Sequence, residues 1–209
     1  MILYDYARAP SPRRARILLA EKGIPHDTVS IDLATAEQMT PSYRAINPHC
    51  TVPTLALDDG SFLTDNAAII AYAEAAFPDP PLLGITPHEK AEIASWNARV
   101  EMEGFMAIAE ALRNSSPGMV DRALPGPVNY AQIPELAARG LQRLNQFFET
   151  LNTRLAGRAY IATDRFSLVD ITAVVAVDFA RILRVSPDDR HPHIQAWRAR
   201  MAERPSMSL

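Results

Sequence analysis

In the first third of this 209-residue sequence, few side chains combine a reactive or polar group with a position where it could act on a ligand. Ser11 precedes Pro12, a residue favoured at the first position of a helix, so we predict that Ser11 caps that helix. A hydroxyl there can stabilise an anion, because its hydrogen bond adds to the positive end of the helix dipole. Cys50 is the only cysteine, and the chain has neither a Cys-x-x-Cys motif nor a metal-binding spacing of histidines.

The elements that would position these residues alternate short β-runs with helical segments. Gly23 is a good end for the helix behind Ser11, because glycine readily adopts the left-handed conformation. Two β-runs around Asp58-Asp59-Gly60 predict a hairpin, and another helix follows it. An irregular segment separates the second strand from this hairpin. The predicted strands cover 2–5, 26–33, 54–57 and 61–63, and the predicted helices cover 12–22 and 65–77.

Beyond the proline cluster at 78–81 the pattern is purely helical, and that cluster predicts the start of a linker. The segment from Leu168 is apolar nearly all round, which is typical of a helix buried in a bundle. Ser167 and Asp170 predict a capping box at its start, in which the carboxylate reaches back to the N–H of Ser167. The predicted helices cover 87–113, 133–155, 168–183 and 194–202.

The overall composition favours a soluble protein with neither nucleic acid nor a membrane as partner. The 21 basic and 24 acidic residues give a formal charge of −3, so neither sign dominates. No apolar stretch reaches the ~18 residues needed to span a bilayer, and the N-terminus lacks the pattern of a signal peptide. Together with the single cysteine, these features predict a cytoplasmic location.

Five motifs, in order along essentially the whole chain, resemble those of the cytosolic glutathione S-transferase family. The Ala-Pro-x-Pro-Arg-Arg opening is similar to that of a subgroup shared by bacteria and fungi. The resemblance implies an α/β thioredoxin-like glutathione-binding domain at 1–80, a linker at 81–87 and an all-helical bundle domain at 88–209. The motifs are Ala9–Ile24, Ile46–Leu55, Leu63–Tyr72, Phe166–Thr172 and Arg204–Ser206.

The resemblance gives Ser11 the catalytic role of stabilising the thiolate of glutathione, the co-substrate. The thiolate is the nucleophile, and only a few per cent of a free thiol is ionised near neutral pH. Some members of the subgroup lack a hydroxyl at this position and activate the thiol through bound water. In that case Asn114, Ser115 or Ser116 would be the polar helpers.

The resemblance also implies where the rest of glutathione binds. Val52 would pair its backbone with the cysteinyl part of the tripeptide, as an added strand does, and Pro53 would hold that conformation through a cis peptide bond. Asp65 and Asn66 would receive the γ-glutamyl end. The family usually has Glu-Ser at these two positions, so the departure bears on affinity, and Asp65 could instead serve only as a helix cap.

Two further groups of residues follow from the resemblance. His49 and Thr51 would flank the glycine carboxylate of glutathione, and either side chain could donate to it. Apolar, adaptable side chains of the long helix in the second domain would hold the electrophile. That pocket would consist of Phe105, Met106, Ala109, Arg113 and Asn114. No metal is implied.

The leading interpretation is therefore a detoxifying transferase that adds glutathione to a small apolar electrophile and acts as a homodimer. A second interpretation keeps the fold and changes the reaction to glutathione-dependent isomerisation, dehalogenation or peroxide reduction. A third is a non-catalytic binding protein that retains the fold without turnover.

Overall fold

A computed structural model describes all 209 residues, which divide into two compact units. The first unit comprises residues 1–80 together with 124–129 and Leu209, and the second comprises 81–123 and 130–208. The predicted order, an α/β half followed by helices, is confirmed. None of the helices combines the length and the apolar character needed to cross a membrane.

The first unit contains four strands, β1 (Ile2–Asp5), β2 (Asp27–Ser30), β3 (Thr54–Ala56) and β4 (Phe62–Leu63). They form a mixed sheet in the order β2-β1-β3-β4. β1 runs parallel to β2 and antiparallel to β3, and β3 forms the predicted hairpin with β4. Leu3 pairs with Leu55 across the two central strands, and both side chains are fully buried.

The helices of the first unit are α1 (Pro10–Glu21), α2 (Pro41–Ile46) and α3 (Asn66–Ala76). α1 ends at Gly23 as predicted: with a φ of +62° at Gly23, the N–H of Ile24 reaches the C=O of Leu19 at 2.9 Å. α2 lies in the segment predicted to be irregular, and that prediction is wrong. Thr40 caps α2 by accepting from the N–H of Tyr43, which starts a helix too short to show a hydrophobic period.

The helices of the second unit are α4 (Pro87–Arg99), α5 (Met106–Arg113), α6 (Pro134–Leu155), α7 (Leu168–Phe179) and α8 (Pro192–Ala202). A π-helical segment, Val100–Phe105, joins α4 to α5 where one helix was predicted. Its signature is the bond from the N–H of Met106 to the C=O of Glu101, five residues back.

Two glycines set how closely α6 approaches the long helix. A Cβ added to Gly104 in the π segment would lie 3.1 Å from the ring of Phe147. A Cβ added to Gly140 would lie 2.6 Å from the C=O of Ala107 and 2.6 Å from the N of Ala111 in α5. Because the second contact is with backbone atoms, only glycine fits at position 140 without moving a helix.

α7 forms the centre of the second unit and begins at the predicted capping box, which is confirmed. Asp170 is fully buried, and its carboxylate replaces water with hydrogen bonds from three residues. Oδ1 accepts from the N–H of Ile161 at 3.1 Å and from the indole N–H of Trp197 at 3.0 Å. Oδ2 accepts from the N–H of Ser167 at 3.1 Å and from its hydroxyl at 3.2 Å.

Burial raises the pKa of Asp170 from 3.8 to about 6, against the lowering effect of its hydrogen bonds. Between these two values the folded protein keeps a proton that the unfolded chain has released, so raising the pH disfavours folding. We expect the free energy of unfolding to lose on the order of 3 kcal/mol from this group between pH 4 and pH 6. Above that range the carboxyl is ionised in both states and its effect is constant.

The measurement is urea unfolding of the wild type and of Asp170→Asn at several pH values. Carboxylates whose pKa is lowered in the folded protein, such as Glu110, give the opposite slope at acidic pH, but they are common to both proteins. The free energy of unfolding of the wild type minus that of the variant therefore isolates the contribution of residue 170. A difference that stays flat from pH 4 to pH 6 would show that the carboxyl titrates normally.

Candidate active site

Ser11 lies inside the first turn of α1, so the predicted N-cap is wrong. The cap is Ala9, whose extended backbone (φ −87°, ψ 139°) places Pro10 rather than Pro12 at the first helical position. Both prolines suit a helix start, and the sequence alone does not distinguish them. The Ser11 side chain is half-buried, and its hydroxyl makes no hydrogen bond within the chain.

Ser11 also provides the one uncommitted N–H among residues 9–12. The N–H of Ala9 donates to the C=O of Tyr6 at 2.9 Å, and Pro10 and Pro12 have no N–H. The first turn of α1 therefore offers an anion two donors, the hydroxyl and the N–H of Ser11, at the positive end of the helix dipole.

Asn66 ties the start of α3 to the start of α1. Its Nδ2 donates to the C=O of Ser11 at 3.0 Å, and this acceptor fixes which end of the amide is nitrogen. Its Oδ1 is buried and has no partner within the chain. The structure thus brings together two of the residues predicted to bind different parts of one ligand.

Asp65 is the N-cap of α3, which was the alternative considered for it. Its Oδ1 accepts from the N–H of Ala68 at 2.8 Å, while the side chain remains exposed. Capping occupies one oxygen and leaves the other without a partner in the chain. A cation can therefore still approach the carboxylate, and its role in ammonium binding stays a prediction.

Val52 precedes a cis peptide bond to Pro53, as the resemblance implies. No hydrogen bond within the chain uses the N–H or the C=O of Val52. Its side chain is buried in a cluster with Ile31 and Tyr43, against which Ala9 also packs. The cap of α1 and the residue before the cis proline therefore share one small core, which places the open backbone of Val52 near the start of α1.

Asn47 and Tyr43 hold this loop, and the sequence predicted a role for neither. Asn47 is fully buried, and its Nδ2 donates to the C=O of Thr51 at 2.9 Å and to Oγ1 of Thr54 at 3.0 Å. The hydroxyl of Tyr43 donates to the same C=O at 2.7 Å. An asparagine directly before Pro48 was the available signal, because an Asx side chain in a turn commonly bonds nearby backbone.

His49, Cys50 and Thr51 form the turn that Asn47 anchors. His49 is exposed and its N–H donates to Oδ1 of Asn47 at 2.9 Å. Cys50 is 3% exposed and has a φ of +54°, a conformation that disfavours any side chain with a Cβ. Its thiol is therefore enclosed, whereas the side chains of His49 and Thr51 remain accessible to a ligand.

A segment distant in sequence also packs against this turn. Leu124–Asn129 belongs to the first unit, and Gly126 is its buried residue. A Cβ added to Gly126 would lie 3.7 Å from the C=O of His49, and its φ of +114° again suits glycine. No sequence pattern indicated this contact, because it joins residues far apart along the chain.

The predicted electrophile residues lie along one partly exposed face of the second unit's long helix. Phe105, Ala109 and Arg113 are four residues apart and share that face, while Ala107 and Ile108 are buried on the other. Met106 is 50% exposed. The face is thus apolar along its length and ends in a guanidinium.

Asn114 is the exception among these residues. It is 7% exposed, and its amide is used on both sides within the chain. Nδ2 donates to the C=O of Glu110 at 2.9 Å, and Oδ1 accepts from the N–H of Ile133 at 2.9 Å. Asn114 therefore ends α5 and positions residue 133, and these bonds use one hydrogen of its Nδ2 and one lone pair of its Oδ1.

No group of three or more His, Cys, Asp or Glu side chains is placed to hold a metal ion.

Two family models match the chain: the glutathione S-transferase N-terminal domain over residues 9–76 and the C-terminal domain over 116–205.

Individual relatives match over the full length. The chain is 35% identical to glutathione S-transferase 2 of Saccharomyces cerevisiae, over 99% of this chain and 88% of that protein. It is 29% identical to glutathione S-transferase 1 of Zea mays, over 99% and 94%. A crystal structure of a glutathione S-transferase domain-containing protein from Marinobacter aquaeolei VT8 superposes with a TM-score of 0.90 at 35% identity, covering 99% of this chain and 100% of that one.

Proposed function

Because the chain belongs to the glutathione S-transferase family, we propose that it is an enzyme that transfers glutathione to an apolar electrophile. The observation that carries the proposal is the convergence at Ser11. Its free hydroxyl and N–H occupy the start of α1, which Asn66 joins to the start of α3 and which packs beside the open backbone of Val52. Ser11 donates hydrogen bonds that an anion can accept, Val52 has a free backbone that can pair with a peptide, and the start of α3 at Asn66 can attract a second anionic group. These three features suit an ionised tripeptide.

The chemical task is to ionise the thiol of glutathione. A free thiol has a pKa of about 8.5, and lowering it by about 2 units requires ~2.7 kcal/mol of preferential binding of the anion. A charge-assisted hydrogen bond contributes about 1.5–3 kcal/mol and the helix dipole up to about 1 kcal/mol more at an exposed site. The hydroxyl and N–H of Ser11 together suffice for this shift.

We propose that the remaining residues bind the tripeptide along the first unit. Val52 pairs its N–H and C=O with the cysteinyl part, and Pro53 fixes that backbone. Asp65 contacts the γ-glutamyl ammonium with its uncapped oxygen, and the α3 start at Asn66 attracts the γ-glutamyl carboxylate. The glycine carboxylate lies by the turn formed by His49 and Thr51.

The commitment of Asn66 to Ser11 changes the role proposed for its amide. One N–H of Nδ2 is used by the C=O of Ser11, so the side chain retains only one donor for the ligand. Its larger contribution is to fix the distance between the γ-glutamyl subsite and the thiol donor.

The test of the thiolate role is Ser11→Ala. We expect kcat/KM for conjugation of chlorodinitrobenzene to fall about thirtyfold, which corresponds to ~2 kcal/mol for one hydrogen bond to a charged group. The ultraviolet absorbance of bound thiolate against pH should shift to higher pH in the same variant. Ser95→Ala, which removes an exposed helical hydroxyl, is the matched control and should leave both quantities unchanged.

Other outcomes lead to defined alternatives. Turnover that is unaffected by Ser11→Ala would transfer thiol activation to a bound water. Binding of glutathione without turnover by the wild type would favour a carrier, and no binding at all would indicate a scaffold with another use.

We also propose that the protein is a cytoplasmic homodimer that acts in detoxification. Exposed apolar side chains occur on both units, for example Phe62 at 41% and Met102 at 64%, and association would bury such surface. Light scattering should return twice the chain mass of 23.0 kDa. A monomer mass at micromolar concentration would rule out a stable dimer.

A further inference from the structure

The helix face that carries the proposed electrophile residues ends in a positive charge that no acidic side chain neutralises. Arg113, the last residue of α5, is half-buried and takes part in no ion pair. Its Nη1 donates to the C=O of Arg122 at 2.7 Å. Its other donors have no acceptor within the chain, and none of them is enclosed, so they remain available to a ligand.

The acid that could have neutralised Arg113 is engaged elsewhere. Glu110 lies three residues earlier in α5, a spacing at which helical side chains meet. Its Oε1 instead contacts Arg139 at 2.8 Å and its Oε2 contacts Arg143 at 2.9 Å, both from α6. The charged group that acts on Arg113 is the like charge of Arg122.

A partly desolvated charge without a counterion is unfavourable, and the direction of its titration agrees. Burial, and next the charge of Arg122, lower the pKa of Arg113. Arginine stays protonated under all ordinary conditions, so the guanidinium cannot relieve this cost by losing a proton. An anion brought by a ligand would relieve it.

We propose that Arg113 binds a carboxylate of the second substrate, so that the substrate class is an apolar electrophile carrying one acidic group. A guanidinium matches a carboxylate with two parallel hydrogen bonds, and Arg113 retains enough free donors for that geometry. Phe105 and Ala109, on the same face, would contact the apolar body of the molecule. This inference rests on the proposed transferase function.

Because Arg113 donates to the C=O of Arg122, it also has a possible structural role, which the test must distinguish from anion binding. Arg122 and Tyr130 close a loop, because the N–H of Ala123 donates to the C=O of Tyr130 at 3.1 Å. Arg113 could serve only to brace the base of that loop. Loss of a brace would harm neutral and acidic substrates equally, whereas loss of an anion site would harm only the acidic one.

The experiment compares chlorodinitrobenzene with its carboxylated analogue, chlorodinitrobenzoate. We expect the wild type to prefer the benzoate, and Arg113→Met to reduce the ratio of the two kcat/KM values about thirtyfold. Arg113→Lys keeps the positive charge but cannot form two parallel hydrogen bonds to a carboxylate, so the ratio of the two kcat/KM values should be intermediate. Arg158→Met, at an exposed arginine of the same unit, should leave the ratio unchanged. An unaltered ratio in Arg113→Met would overturn the proposal.

Calorimetry with unreactive dinitrobenzoate and dinitrobenzene separates this proposal from the transferase assignment. Preferential binding of the benzoate that Arg113→Met abolishes supports the anion site even in a protein without turnover. Conjugation of both halides, with equal binding of both unreactive compounds, would retain the transferase and eliminate the anion site.

Discussion

Asp170→Ala is expected to lower the free energy of unfolding by about 4 kcal/mol, the upper range for breaking a buried charged network. Four buried donors from three residues lose their acceptor at once: the N–H of Ile161, the indole N–H of Trp197, and the N–H and hydroxyl of Ser167. Each donor left unsatisfied costs about 1–3 kcal/mol, which outweighs the relief from removing a buried carboxylate. Urea unfolding followed by circular dichroism at pH 7 measures the loss.

Two further variants make this result interpretable. Asp170→Asn keeps an oxygen that accepts from the N–H of Ile161 and the indole N–H of Trp197, but it places an amide nitrogen against the N–H of Ser167. Its loss in the free energy of unfolding should therefore be intermediate. Asp164→Ala, at an exposed aspartate just before the helix, should cost no more than about 0.5 kcal/mol. A loss below about 1 kcal/mol for Asp170→Ala would mean that water replaces the carboxylate.

Gly140→Ala is expected to destabilise the protein by about 3 kcal/mol, although helix propensity alone favours alanine by about 1 kcal/mol. The added Cβ would lie 2.6 Å from backbone atoms of Ala107 and Ala111, and neither can rotate away. α5 and α6 would have to separate, with loss of packing on both sides. Thermal and urea unfolding measure the sign of the change in the free energy of unfolding. A decrease shows that the packing of α5 against α6 outweighs helix propensity, and an increase shows the reverse.

Gly118→Ala is the matched control, because a Cβ there meets nothing within 4 Å. We expect that change to stay within about 0.5 kcal/mol of the wild type. If Gly140→Ala were neutral or stabilising as well, the contact between α5 and α6 would have to be looser than the structure shows.

The elements with strong local signals were predictable. The start of α7 followed from Ser167 and Asp170, since a capping box is a local arrangement that the sequence displays directly. The end of α1 followed from Gly23 in the same way. These features depend on residues within one turn, so tertiary contacts did not need to be known.

Features that depend on distant contacts or on competing signals were not predictable. Two prolines, Pro10 and Pro12, each fit the start of α1, and the turn from Ala9 to Tyr6 selects the first. The short helix α2 offered a cap but no period. The π segment left no trace in the spacing of apolar residues.

The candidate site was located in part by resemblance, and the structure shows the contacts that connect some of its residues. Asn66 is hydrogen-bonded to Ser11, and Ala9, two residues before Ser11, packs against the cluster that contains Val52. What the sequence did not reveal is how they are held: the donation from Asn66 to Ser11 and the network around Asn47 join residues on different elements. Side chains that position others carry little signal in a single sequence.

The π segment at Val100–Phe105 controls the rotational phase of α5 with respect to α4. A π turn accommodates one residue more than an α turn, so rewinding the same residues as a regular α-helix would rotate everything after them by about 100°. The face of Phe105 and Arg113 would then turn away from its present direction. A substitution that converts this π turn to α winding would thus change which side chains face the proposed electrophile, without any change in the residues of α5.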